Sequence, residues 1–317
     1  MGESRDQSHK GMASGQVRWR TAAGDVDLSG APLIAAVVNA TPDSFSDAGE
    51  RSTAGAVARV SECIAAGADL IEVGGESNVS NRPAVSAAEE IERIGPVVAA
   101  AVEAGAIVSI DTYKPAVAAA ALEAGAAIVN DISGFAEPAM AEVCAASGAG
   151  AVLMHTSTPP KRVRWDTGGY PDGVVAEVRR WFEARIGELG DRGIDREAIV
   201  LDPGLDFGKT PAQSVELLAG FAEVAELGRP LFAAASRKDF VGALTGRTPR
   251  QRLAGTLAAV GWAVAAGAKV IRAHDVAETR DYVTILAALN GWSEVDPELR
   301  IADEIRREPP SAEWAAG

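Results

Sequence analysis

Between about residue 31 and residue 291, short apolar runs alternate with longer, alanine-rich segments. The apolar runs lie at 33–38, 70–73, 107–110, 127–129, 151–154, 199–201, 231–235 and 269–271. Each is short and is either rich in β-branched residues or bounded by glycine, as expected of a strand buried on both faces. The segments between them carry helical spacing, for example 87–104, 174–189 and 254–266. Several runs follow an Ala-Gly-Ala turn, at 66–68, 104–106, 124–126 and 266–268. Glycine there is a natural C-terminal cap for the preceding helix. Eight strand–helix units predict an α/β fold, a single (β/α)₈ TIM barrel, with an open doubly wound sheet as the structural alternative.

The ends of the chain read differently. Residues 1–30 are polar and Gly/Ser-rich, and predict a flexible arm with one hairpin. Residues 292–317 are charged and contain proline, and predict a tail with one helical turn. No linker divides 31–291, so that stretch is expected to be one domain, within the size range of a barrel. The formal net charge of −14 argues against general nucleic-acid binding and against an anionic membrane surface. It leaves a small anionic substrate open, because a local cationic pocket overrides net charge. No apolar run approaches the ~20 residues of a membrane helix. The polar N-terminus lacks the apolar core of a secretory signal, so a cytoplasmic protein is expected. Cys63 and Cys144 lie in apolar, helix-like runs without metal or redox spacing, and read as buried core thiols.

Polar residues cluster where the apolar runs end: Asn39, Glu72 with Glu76, Asp111, Asn130, His155, Asp202, Ser236-Arg237-Lys238, and Arg272 with His274. In a parallel barrel all these ends surround one mouth. Any one of them alone reads as a helix cap or turn residue. Their coincidence on nearly every run makes that a poor account of the set. Asp111, Asn130, Asp202 and Lys238 offer two carboxylates, an amide and a cation, which suits a flat polar heterocycle with donor and acceptor edges. Asn39, Arg272 and His274 offer an oxygen ligand and two potential cations, which suits a diphosphate with a divalent ion. His155 either lines the mouth or is a packed core histidine. Lys209, in LDPGLDFGKT, is either a second cation at the mouth or a solvated helix start; the segment lacks phosphate-loop spacing.

The segments VVNATPDSFSDAGE, GADLIEVGGES, VSIDTYKPAVA, AAIVNDISGF, VLMH, LDPGLDFGKT, SRKDFVGALTG and KVIRAHDVAET resemble, in order, the motif series of dihydropteroate synthases. The resemblance spans about residues 33–289 and implies the same barrel. It implies a transferase that condenses 6-hydroxymethyl-7,8-dihydropterin diphosphate with p-aminobenzoate, assisted by Mg²⁺ and without a covalent enzyme nucleophile. Position by position, it implies pterin contacts from Asp111, Asn130, Asp202 and Lys238. It implies a metal ligand in Asn39 and diphosphate contacts from Arg272 and His274. Asp111, Lys238, Arg272 and His274 are then the expected catalytic residues. Loops at 41–50 and 77–86 are expected to close over the substrates. A homodimer is the expected assembly.

Three departures accompany the resemblance. After GGES the family's Thr-Arg-Pro gives way to Asn78-Val79-Ser80, with Arg82 placed to take over the loop charge. The residue after Ser-Arg-Lys, often serine, is Asp239, which either faces the p-aminobenzoate carboxylate or partners a helix dipole. A family glycine is replaced by Asp206, and the His-Asn after Gly-Lys-Thr by Gln213-Ser214. The first two departures concern the second substrate. They keep two alternatives open: a pterin-binding paralogue with altered or no p-aminobenzoate use, and a methyltetrahydrofolate-type methyltransferase on the same barrel.

Overall fold

The structure, a computed structural model, describes residues 17–41, 53–77, 83–162 and 169–307. Its elements begin with β1 (Arg18–Thr21), β2 (Gly24–Asp27), β3 (Leu33–Asn39), α1 (Thr53–Ala65), β4 (Leu70–Gly74) and α2 (Ala87–Glu103). There follow β5 (Ile107–Asp111), α3 (Pro115–Glu123), β6 (Ile128–Asp131), α4 (Pro138–Ser147), β7 (Gly150–Met154) and α5 (Val174–Asp191). The chain continues through β8 (Ile199–Asp202), α6 (Pro211–Ala219), α7 (Phe221–Ala225), β9 (Leu231–Ala233), α8 (Asp239–Thr245), α9 (Leu253–Ala265), β10 (Ala268–Ala273) and α10 (Val276–Leu289).

Strands β3 to β10 close into a parallel barrel in the order β10-β3-β4-β5-β6-β7-β8-β9. Pairing of β10 with β3 is the closure that an open doubly wound sheet lacks. The helices pack outside, as the alternation predicts. The Ala-Gly-Ala turns serve as expected: Gly125 and Gly267 sit at φ of 102° and 100°, which a side chain would resist. The apolar run at 231–235 yields only a three-residue β9, because the chain turns before Arg237, which has a φ of 58°.

Period-two alternation separates two environments along each strand. Outward residues such as Ile34, Val73, Ile110, Leu153, Leu201 and Ile271 pack with the helices. Leu70, Ile128, Val152, Val200, Phe232 and Val270 form a second buried cluster, the apolar floor of the barrel interior. Two residues beyond Leu70, Ile128, Val200 and Val270 stand Glu72, Asn130, Asp202 and Arg272. The same inner face therefore changes from apolar to polar in one step toward the C-terminal mouth.

The N-terminal hairpin is no loose arm. Strands β1 and β2 pair antiparallel, and Trp19 and Leu28 are fully buried against the barrel floor. The Trp19 indole Nε1 donates to the Ala198 carbonyl at 2.8 Å. The hairpin thus plugs the N-terminal end, and the domain takes in residues that the boundary at 30 had left outside. Among the described residues of the C-terminal stretch, Asp303–Ile305 form a 3₁₀ turn. Cys63 and Cys144 are buried and form no disulfide. Among the described residues no helix is long and apolar enough to cross a membrane.

Candidate functional site at the barrel mouth

At the centre of the mouth Arg272 joins three strands. Its Nε donates to Glu72 and its Nη2 donates to Asp111 Oδ2 at 3.1 Å. The other oxygen of Glu72 accepts from Asn130 Nδ2 at 2.9 Å. Burial works against the Arg272 charge, but Glu72 and Asp111, with Asp202 behind them, hold the guanidinium firmly protonated. Asn130 is oriented with its amide nitrogen spent, and its Oδ1 is buried without a hydrogen-bond partner. An orphaned buried acceptor costs roughly 1–3 kcal/mol unless a ligand donor meets it. The neighbouring Asp131, not Asn130, does the turn work, accepting from the Ser133 and Phe135 amides.

Asp202 ends β8, buried, with Oδ1 accepting from Gly204 N at 2.8 Å. Burial pushes its carboxyl up, while the charges of Lys238, Lys209 and Arg272 pull it down less strongly. Lys238 Nζ donates to the Leu205 carbonyl at 3.0 Å and lies 4.3 Å from the Phe207 ring centre. The expected heterocycle contacts, Asp111, Asn130, Asp202 and Lys238, therefore occupy the ends of β5, β6 and β8 and the turn after β9.

Lys209 is not a solvated helix start: it stands close enough to Asp202 for their charges to act on each other. It is 1% exposed, and its Nζ contacts His155 Nδ1 at 2.9 Å and the Gly204 and Phe207 carbonyls at 2.9 and 3.0 Å. Burial brings its pKa down to about 7. It pins the loop after β8 to the end of β7. His155, at the end of β7, is buried and packed, edge-on to Trp181 with ring centres 5.1 Å apart.

The expected diphosphate contacts, Arg272 and His274, both end up at the mouth, at the C-terminal end of β10. His274 Nδ1 lies 3.0 Å from Ser236 Oγ. Burial, followed by Arg272, Arg237, Lys238 and Arg59, holds His274 well below the usual imidazole range. That environment favours its neutral, hydrogen-bonding form. Arg237 is spent on Asp275, to which it donates twice, at 3.0 and 2.5 Å. Asn39 closes β3 opposite Gly74.

Asp239 opens α8 with its carboxylate 54% exposed and paired to Arg252 at 2.9 Å. Arg252 Nη1 also binds the carbonyls of Arg237 and Lys238. Asp239 thus stands in the first turn of α8 with its charge compensated by Arg252. Arg82, Asn78, Val79, Ser80 and most of the 41–50 loop lie outside the described residues. At the edge of that gap, Glu76 accepts from Lys114, Tyr113 and the Val85 amide and pairs with Lys161 at 3.1 Å.

Sequence reasoning noticed Glu72 as a strand-end carboxylate and assigned it nothing. Its signal was present: it stands two residues from Leu70, in register with the other inward polar groups.

The protein-family model described as "Pterin binding enzyme" matches residues 35–274. A dihydropteroate synthase of Escherichia coli is 40% identical over 265 residues, covering 83% of this chain and 93% of that protein. A Mycobacterium bovis relative named inactive dihydropteroate synthase 2 is 39% identical over 270 residues, 82% of this chain and 83% of its own. Among solved structures, a Xanthomonas albilineans dihydropteroate synthase with 4-aminobenzoic acid superposes with a TM-score of 0.80 at 39% identity. It covers 87% of this chain and 99% of that one.

Proposed function

The chain belongs to the dihydropteroate synthase family of pterin-binding enzymes, and from that premise we propose that it condenses 6-hydroxymethyl-7,8-dihydropterin diphosphate with p-aminobenzoate. The products are 7,8-dihydropteroate and diphosphate. One observation carries the reading: Asn130 Oδ1 is a buried acceptor without a partner, on the inner wall that also carries Asp111 and Asp202. A pterin brings ring N–H and amino donors to such acceptors and a carbonyl to Lys238.

In this reading Asp111, Asn130 and Asp202 orient the ring, and Lys238 balances the carboxylates. Arg272 is fixed by Glu72 and Asp111 before substrate arrives, so its charge needs no reorganisation as the diphosphate leaves. His274 enters neutral and donates or accepts a hydrogen bond on the diphosphate. A bound diphosphate would favour its protonated form. The amine of p-aminobenzoate attacks the pterin methylene, and no enzyme nucleophile takes part. Pairing of Asp239 with Arg252 removes the repulsion an isolated carboxylate would exert on an anionic second substrate.

Asn39, at the end of β3, offers an amide oxygen that would hold a Mg²⁺ shared with the diphosphate. Such an ion would neutralise the leaving group's charge. A homodimer is supported by exposed Trp262 on α9 and Ile285 and Leu289 on α10, helices that meet where Gly261 faces the Tyr282 hydroxyl. Two buried cysteines outside any disulfide suit a reducing compartment, in keeping with the cytoplasm.

The M. bovis relative makes turnover the decisive measurement. With pterin diphosphate, p-aminobenzoate and Mg²⁺, dihydropteroate should form, and Asn130→Ala should weaken pterin-diphosphate binding by ~1–3 kcal/mol. Retained pterin binding without turnover would leave a paralogue in place of a synthase. Unaltered binding by Asn130→Ala would overturn the pocket.

A further inference from the structure

Asp206 stands in the loop after β8 with a φ of 67°, in the left-handed region that favours glycine, and is only 6% exposed. A residue kept in that conformation needs a reason in its side chain. The carboxylate reaches out of its own loop to the turn that follows β9. It accepts from the Asp239 amide at 2.6 Å and from the Phe240 amide at 3.3 Å, the first two amides of α8. Fully buried Ser214, on α6, supports it: the Ser214 hydroxyl lies 3.2 Å from Asp206 Oδ1, and the Asp206 amide donates to Ser214 Oγ at 3.0 Å.

Lys238 immediately precedes those two amides. Its ammonium donates to the carbonyl of Leu205, the residue before Asp206, and lies over the ring of Phe207, the residue after it. Both ends of the lysine are thus set by one three-residue stretch. A shift of Asp206 would move the Lys238 backbone through α8 and the Lys238 ammonium through Leu205 together.

We propose that Asp206 is a positioning residue for the reaction: its carboxylate fixes the turn that presents Lys238 and the loop carbonyl that aims the Lys238 ammonium. This rests on the reading of Lys238 as a pterin contact.

A double-mutant cycle tests it, read as pterin-diphosphate affinity by calorimetry and as kcat and KM, on variants shown to be folded by thermal melting. Asp206→Ala should weaken affinity at least fivefold in the otherwise native protein and less than twofold in the Lys238→Met background. Asp206→Asn, which keeps an acceptor for the Asp239 amide, should recover most of the loss. Equal losses in the two backgrounds, or none in the native one, would overturn the proposal and leave the reading of Lys238 intact. Native affinity in Lys238→Met alone would overturn that reading, and the proposal with it. Should Asp206→Ala not fold, Ser214→Ala takes its place in the cycle, with the same outcomes deciding.

Discussion

Histidine 274 shows how strongly a residue's chemistry depends on what surrounds it. Burial is the largest influence on it, followed by Arg272, Arg237, Lys238 and Arg59, and all of them disfavour a proton. Below about pH 6.5 the unfolded chain takes up a proton that folded His274 refuses. The unfolded state then binds more protons, so this contribution to stability is present above pH 6.5 and is lost as the pH falls further. Asp131, pushed up to about 6 by burial, gives the opposite slope, so the histidine's share is a difference between variants. Urea unfolding at pH 7.5, 6.5 and 5.5 should show stability falling more steeply with acid in the native protein than in His274→Asn. Parallel curves would contradict a neutral buried imidazole. The sequence placed His274 beside Arg272 but not its charge state, because Arg237, Lys238 and Arg59 come from other elements. Lys209 was illegible for the same reason: its His155 partner is 54 positions away.

Elements are joined at the mouth by charge as well as by packing. Lys114, just before α3, contacts Glu76 in the loop after β4 and Glu90 on α2, the latter at 2.5 Å. Lys161, from the loop after β7, meets the same Glu76. Burial would raise the Glu76 pKa, yet hydrogen bonds from Lys114 and Lys161 bring it below its ordinary value. Lys114→Met should therefore destabilise by ~3–5 kcal/mol, since it strands Glu90, 1% exposed, without a counter-ion. Denaturant unfolding measures this, and a loss under about 1 kcal/mol, the value of a surface pair, would refute the buried-cluster reading. The strands and helices were legible because their periodicity is local. The links between them were not, since Glu76 and Glu90 lie 38 and 24 positions from Lys114.

At the scale of the whole molecule the barrel has two unlike ends. Its C-terminal mouth is polar because Glu72, Asn130, Asp202 and Arg272 stand one step above the apolar floor. Its N-terminal end is sealed by the hairpin, with Trp19 and Leu28 packed on Leu70, Ile128, Val152, Val200, Phe232 and Val270. Strands β1 and β2 carry too few apolar residues to announce this, so the sequence suggests a hairpin but not its docking. The surface that receives Trp19 belongs to separate strands and exists only once the barrel closes. The floor separates stability from chemistry: Trp19 contacts no residue of the mouth network. Trp19→Ala should cost ~3–5 kcal/mol, the usual penalty for emptying a large aromatic from a core. At a temperature where the variant stays folded, its kcat should match that of the native protein. Denaturant unfolding reads the first quantity and steady-state kinetics the second. A fall in kcat per folded molecule would mean that the plug also tunes the mouth, and the two ends would then have to be treated as one coupled unit.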